Sequence, residues 1–239
     1  MIREILDDLK NMNIRNILND MKGNSFKKVI FRNRLAIGFS LVGLIAFIII
    51  TINVLNGNLD TFNEEVYYYI ASLINPTLTL IVRGVSFFGT WIPFGIACVL
   101  FVLPKTRKRA GVPLLFSALF GAATVVILKI WIAVPRPDIL PLVSAGGYGH
   151  PSGHVLRAVV FFSIAALLIL DYSKTKTVRV SAILAMIILP LMIGFSRIYL
   201  GVHTATDIMA SFSIGIVVIV LSAIMLQYTN FWSVNSQDQ

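Results

Sequence analysis

The sequence contains few charged residues. Asp, Glu, Lys and Arg make up 13% of its 239 residues, whereas a soluble globular domain carries about 25%. Hydrophobic residues make up 57% of the chain, and its mean hydropathy is +0.84. The composition therefore argues against a soluble domain and predicts an integral membrane protein, whose length fits one domain.

Cysteine and acidic residues are also scarce. The single cysteine, Cys98, excludes a disulfide framework within the chain. Eleven acidic residues stand against twenty lysines and arginines, which gives a formal net charge of +9. Such an excess is found in proteins that bind nucleic acid and in membrane proteins with basic loops, so the distribution of the charge decides between them.

Fifteen of the twenty basic residues fall in three polar blocks that precede or separate apolar runs. The blocks are residues 1–34, 105–109 and 174–179. Basic residues beside apolar runs are typical of cytoplasmic segments of membrane proteins. The positive charge therefore predicts an orientation in the membrane and does not indicate a nucleic acid partner.

Six apolar runs are candidate transmembrane helices, because a bilayer core of about 30 Å needs roughly 20 helical residues. They cover residues 35–55, 87–103, 113–134, 155–170, 180–195 and 208–226. A further run, 66–82, is interrupted by Asn75, Pro76 and Thr77. If it also spanned the bilayer, the basic block 105–109 would face outward, so it is predicted to be interfacial or re-entrant. The predicted fold class is all-α: a polytopic membrane protein with six transmembrane helices and an additional interfacial helix.

This count of spans predicts the organisation of the whole chain. Residues 1–34 form a basic, amphipathic cytoplasmic segment, residues 35–227 a six-helix membrane domain, and residues 228–239 a cytoplasmic tail. Both termini are then cytoplasmic, in a multi-pass protein of the plasma membrane.

The same count brings the remaining polar residues together. Two crossings separate the connection 135–154 from the connection 196–203, so both are predicted on the outer face. The other five basic residues and all three histidines are predicted to lie in or toward the outer half of the membrane domain: Arg83, Lys129, Arg136, Arg157, Arg197, His150, His154 and His203. Ionisable residues at membrane depth are functional candidates by default.

Several of these residues suit an anion. Lys129 precedes the outer end of the third span, and Arg136 is flanked by prolines that restrict the backbone. Ser152 and Gly153 open the fourth span, where free N–H groups of a helix N-terminus attract negative charge. Arg197 adds a planar guanidinium that suits phosphate oxygens.

Three further residues suit phosphoryl transfer without a metal. His203 and Asp207 are four residues apart, so they share one face of a helical turn. The carboxylate can hold the imidazole Nδ1–H and leave Nε2 free as a nucleophile. His154 can protonate the leaving oxygen. No cluster of acidic residues or histidines has metal-ligand spacing, so neither a metal nor another cofactor is predicted.

The three motifs resemble the signature of the type-2 phosphatidic acid phosphatase superfamily. They are Lys129-x6-Arg136-Pro137, then Pro151-Ser152-Gly153-His154, then Ser196-Arg197-x5-His203-x3-Asp207. The resemblance covers about residues 60–227. In size and build the chain is similar to bacterial phosphatidylglycerophosphate phosphatase B-like and undecaprenyl-diphosphate phosphatase members.

The resemblance implies a role for each motif residue. His203 attacks phosphorus to give a phosphohistidine, Asp207 orients it, and His154 protonates the leaving lipid oxygen and then activates water. The implied phosphate ligands are Lys129, Arg136, Ser152, Gly153 and Arg197. The substrate is a lipid phosphate or diphosphate of the outer leaflet: undecaprenyl diphosphate, phosphatidylglycerophosphate or phosphatidate. Outside the signature, Arg157 and His150 are candidate headgroup contacts.

Two other functions fit a buried Arg, His and Asp cluster. One is a non-enzymatic proton or anion transporter, although the chain has no detectable inverted halves. The other is a membrane protein that carries haem between two histidines. A haloperoxidase fits less well, because those members of the superfamily are soluble.

Overall fold

The structure, a computed structural model, describes residues 29–102, 110–139 and 141–228. These residues form eight helices of 12 or more residues and contain no strand, which confirms the all-α prediction. In chain order the helices are α1 (Arg34–Leu55), α2 (Asp60–Ala71), α3 (Pro76–Phe87), α4 (Trp91–Val102), α5 (Val112–Ile132), α6 (Gly153–Tyr172), α7 (Lys176–Tyr199) and α8 (Ala205–Tyr228). Most of the predicted N-terminal segment 1–34, the basic block 105–109 and nearly all of the tail 228–239 lie outside the described residues.

Five of these helices are long and apolar enough to cross a membrane: α1, α5, α6, α7 and α8. A sixth span results if α3 and α4 form one broken span, since the pair passes the same test but bends by 47°. With the bent pair counted as one span the number equals the six predicted, but the predicted second span, 87–103, covers only the α4 part of the pair. The predicted interfacial run, 66–82, covers the end of α2 and the start of α3.

The second predicted span and the preceding interfacial helix have other boundaries than expected. Residues 66–82 do not form one helix, because the chain leaves the helix after Ala71 and starts a new one at Pro76. Asn75 caps this new helix: its side-chain oxygen accepts a hydrogen bond from Leu78 N at 2.9 Å, and Pro76 stands where no N–H is needed. The run is therefore interrupted near Asn75, Pro76 and Thr77, as predicted, and these residues also start the new helix.

α6 is the central helix of the bundle. In its most apolar window 67% of the residues are buried, against 22% in α1, α5 and α7. It packs against α5, α7 and α8. Close approach to α8 depends on Gly215, where an added Cβ would lie 2.6 Å from Val159 Cγ1. The residues at the N-terminus of α6 are thereby placed in the middle of one end of the bundle.

Candidate active site

The two predicted polar connections meet at one end of the bundle. Leu142 N donates to Leu200 O at 3.0 Å, and Ser152 N donates to Asp207 O at 3.4 Å. These bonds join the α5–α6 connection to the α7–α8 connection and to the first turn of α8. The prediction that both connections lie on the same face is confirmed.

His203 and Asp207 form the predicted pair. His203 Nδ1 lies 3.1 Å from Asp207 Oδ2, and the same carboxylate oxygen accepts from Thr204 N at 3.0 Å. Both side chains are buried, with exposed fractions of 2% and 3%. Burial lowers the pKa of His203 to about 4, although its hydrogen bond to Asp207 acts in the opposite direction. The imidazole is therefore neutral at pH 7, with Nδ1–H donated to the carboxylate.

Asp207 also binds a second histidine. His150 Nδ1 lies 3.0 Å from Asp207 Oδ1, and His150 Nε2 lies 3.0 Å from Thr51 Oγ1 on α1. The His150 ring is fully buried and stacks on Phe47. This corrects the expectation that His150 contacts a headgroup: both of its ring nitrogens have protein partners, and its surface is closed to a ligand.

Arg136 and Lys129 are held by backbone carbonyls of the α5–α6 connection and, for Arg136, also of the α7–α8 connection. Arg136 donates to Gly146 O at 2.8 Å and to Val202 O at 2.7 Å. Lys129 Nζ donates to Tyr148 O and to Gly149 O. Arg136 Nη1 also lies 3.2 Å from His203 Nε2. The nucleophilic nitrogen expected from the sequence therefore faces a cation directly.

Two donors at the start of α6 and the end of α7 have no partner. Ser152 occupies the N-cap position of α6 but makes no side-chain cap bond, and its buried Oγ has no hydrogen-bond partner among the described residues. Arg197 is 5% exposed; its Nη1 donates to Ser86 Oγ at 2.6 Å, while its Nε has no partner in the same part of the chain. Buried donors are normally satisfied, so both are suited to an anionic ligand. Gly153 begins α6 directly after Ser152.

A cavity of about 670 Å³ opens beside these groups. It is lined by Arg136, His154 and Arg197 from the predicted set, and by Arg83, Ser86 and Thr90 from the α3–α4 region, among others. Lys129, Ser152 and His203 are not among the residues that line it, although His203 contacts Arg136. The cavity therefore combines the expected general acid with two of the expected phosphate ligands.

Arg157 faces a different space. Its guanidinium donates to Gly89 O at 3.0 and 3.4 Å and lies over the Trp91 ring, 4.4 Å from its centroid. It lines an apolar groove between α4, α5 and α6, and not the cavity that His154 lines. Its expected contact with a headgroup stays a prediction.

Sequence reasoning did not find Thr51 and Ser86, the partners of His150 and Arg197. Both are hydroxyl residues in the mainly apolar helices α1 and α3, far from the motifs in the chain. No spacing rule connects them with the residues that they contact, so only the fold identifies them.

The model of the PAP2 superfamily matches residues 110–231, which is half of the chain. The chain belongs to the PAP2 superfamily. The matched region contains all three motifs of this PAP2 member.

Relatives agree with this assignment. The PAP2 member is 34% identical over 112 residues to phosphatidylglycerophosphatase B of Bacillus subtilis, in an alignment that covers 45% of this chain and 55% of that protein. The chain thus spans about half the length of this curated relative.

Two crystal structures share the fold. One is a transmembrane PAP2-type phosphatidylglycerolphosphate phosphatase from Bacillus subtilis, with a TM-score of 0.68 and 24% identity; the alignment covers 77% of this chain and 94% of that one. The other is Aquifex aeolicus LpxE, with a TM-score of 0.55 and 22% identity, covering 68% of this chain and 94% of that one. Because most of each solved chain is matched, the PAP2 helix arrangement extends beyond the motifs.

Proposed function

We propose that this PAP2 member hydrolyses the terminal phosphate of a lipid phosphate or diphosphate through a phosphohistidine, without a metal. One observation carries the proposal: a buried carboxylate, Asp207, holds Nδ1 of His203, while Nε2 of the same ring faces the guanidinium of Arg136. A phosphate that displaces this guanidinium from Nε2 keeps the cation as its ligand and meets the nucleophile at the same point.

In the first step, His203 Nε2 donates its lone pair to phosphorus. The bond between phosphorus and the lipid oxygen breaks, and the departing oxygen takes a proton from His154, which lines the cavity. Asp207 keeps the proton on Nδ1 and stabilises the positive charge that develops on the ring.

In the second step, water attacks the phosphohistidine and gives a proton to His154. The nitrogen–phosphorus bond breaks, inorganic phosphate leaves, and both histidines return to their starting states. The same residue thus acts first as an acid and then as a base.

Five groups support the phosphate during both steps. Arg136 and Arg197 line the cavity, and the unpartnered Ser152 Oγ lies at the N-terminus of α6, next to the backbone of Gly153. Lys129 adds positive charge behind them. Charged donors that face a developing phosphoryl charge supply the main part of catalysis in phosphoryl transfer.

The candidate substrates are undecaprenyl diphosphate, phosphatidylglycerophosphate and phosphatidate in the outer leaflet. The proposed orientation places both termini of the chain in the cytoplasm. The name of the Bacillus relative supports phosphatidylglycerophosphate among them. Metal independence is supported by the donor set: in the described part of the chain no group of three His, Cys, Asp or Glu side chains could hold a metal ion.

The test is phosphate release by purified protein from these three lipids in excess EDTA. We expect activity in EDTA, inhibition by vanadate, and no activity or acid-labile phosphoenzyme in His203→Ala. Loss of activity in EDTA with recovery in Mg²⁺ would contradict the mechanism.

A second measurement separates the two histidines. His154→Ala loses the acid, so lipid turnover falls by about 100-fold or more. p-Nitrophenol is a good leaving group that needs little protonation, so the first-turnover burst from p-nitrophenyl phosphate is retained in this variant. Equal loss of the burst and of lipid turnover would count against the acid role.

A further inference from the structure

Arg157 is a cation without an anionic partner in the part of the chain that the structure describes. Nε and Nη2 share one acceptor, Gly89 O, and the face of the guanidinium covers Trp91. No acidic side chain of the described residues lies within ion-pair distance of it. A guanidinium carries five N–H donors, so several remain for a ligand. A partly buried cation with free donors at membrane depth indicates an anion that arrives with the substrate.

Arg157 is also placed to meet such an anion during the reaction. It follows His154 by three residues on α6, so the two side chains leave the same face about one turn apart. Both contact Gly89: Arg157 binds its carbonyl, and an added Cβ at Gly89 would lie 3.0 Å from His154 Cβ. A lipid whose leaving oxygen lies at His154 therefore brings the next part of its headgroup toward Arg157.

The apolar groove begins at Arg157. Its volume is about 380 Å³, within the range of ligand pockets. Its other lining residues are uncharged, and they include Trp91, Phe94, Val99, Leu115, Leu119 and Val160. Trp91 is 54% exposed and Leu119 60% exposed on the outside of the bundle, so the groove is open to the bilayer. A cation at one end and an apolar wall along the rest match a phosphate followed by a hydrocarbon tail.

We propose that Arg157 binds a second phosphate group of the substrate, the one that stays on the lipid product, and that the tail lies in the groove between α4, α5 and α6. This inference rests on the proposed function and narrows its substrate class to lipids with two phosphates. The second phosphate carries the leaving oxygen itself in a diphosphate lipid, and lies beyond a glycerol unit in phosphatidylglycerophosphate. Phosphatidate, which has one phosphate, leaves Arg157 without a ligand.

Arg157→Gln tests the proposal with substrates that share a tail. The pairs are farnesyl monophosphate with farnesyl diphosphate, and phosphatidate with phosphatidylglycerophosphate. Loss of one charged hydrogen-bonding partner lowers kcat/KM about tenfold or more. We expect kcat/KM to fall by this factor for the two-phosphate member of at least one pair. For the one-phosphate member of the same pair, kcat/KM should fall less than threefold. The pair that responds identifies a diphosphate or a phosphodiester as the ligand.

Each control separates the binding role from a structural one. Arg157→Lys keeps the charge and should recover part of the preference for two phosphates. Arg83→Gln removes another arginine of this region, one that the mechanism does not use and that lacks an acidic partner among the described residues, and should affect both members of a pair alike. The proposal is overturned if Arg157→Gln affects both members equally, or if Arg83→Gln produces the selective loss. Failure of the unsubstituted protein to release phosphate from any lipid would instead contradict the proposed function.

Discussion

A single carboxylate, Asp207, is shared by two histidines that differ in role. His203 faces Arg136 at the cavity, whereas His150 is enclosed between Thr51 and Phe47. With one oxygen held by His150 and the other by His203, the carboxylate cannot rotate without breaking a bond. We therefore regard His150 as a positioning residue for the nucleophile.

Replacement of His150 tests this role. His150→Phe keeps an aromatic ring against Phe47 but removes both hydrogen bonds, so kcat should fall about tenfold or more, as for other residues that orient a ligand or a base, with KM nearly unchanged. His150→Asn retains a donor for Asp207 and should recover part of kcat. Steady-state kinetics of phosphate release measure both constants. A rise of KM in both variants with kcat intact would contradict the positioning role.

At the residue scale, the sequence predicts those contacts that lie within one helical turn or one motif. The bond between His203 and Asp207 follows from their spacing of four residues. The contacts of His150 with Thr51 and of Arg197 with Ser86 span 99 and 111 residues. They depend on the packing of α1 and α3 against the site, which residue spacing does not contain.

The contact between α7 and α8 at Gly194 lies close to the site in the chain. Gly194 lies on α7 one turn before Arg197, and an added Cβ would lie 2.7 Å from Ile208 Cγ2 on α8. Asp207 directly precedes Ile208. Any separation of the two helices here therefore moves Arg197 away from Asp207 and His203.

Gly194→Ala should lower both stability and activity. The added methyl group overpacks the contact, which costs about 1–3 kcal/mol, and thermal unfolding in detergent should begin at a lower temperature. Gly38→Ala on α1 is the matched control, because an added Cβ there meets nothing within 4 Å and alanine favours a helix. Equal unfolding temperatures for the two variants would show that α7 and α8 tolerate the extra volume.

The bounds of the unbroken spans could be predicted from apolar runs alone, to within a few residues in α1, α5 and α8. The helix bounds in the region 60–102 could not be predicted in this way, because hydropathy does not indicate where a helix bends. One helix ends at Ala71, another begins at Asn75 and Pro76, and the chain bends again between Phe87 and Trp91. This bend brings Gly89 against His154 and Arg157, a contact that no periodicity in the sequence indicates.

For the molecule as a whole, the site occupies one end of the bundle, and its predicted side of the membrane rests on the basic residues of the chain, of which Lys174, Lys176 and Arg179 lie at the opposite end. Asp138 in the α5–α6 connection and Lys174 in the α6–α7 connection are both exposed, at opposite ends of α6. Cysteines at these positions, in a Cys98→Ser background, are treated with an impermeant maleimide on intact cells. We expect Asp138→Cys to be labelled, and Lys174→Cys only after permeabilisation. The reverse pattern would place the site in the cytoplasm.

The α6–α7 connection, residues 173–175, lies at the end of the bundle away from the site. On its N-terminal side the chain supplies the proposed acid, His154, and the proposed anion-binding segment that begins at Lys129. On its C-terminal side it supplies Arg197, the proposed nucleophile His203 and its partner Asp207. Extensive packing between α6 and α7 holds the two parts together. Neither part contains the whole site. If the backbone were cut at this connection, activity would depend on the association of the two fragments within the bilayer.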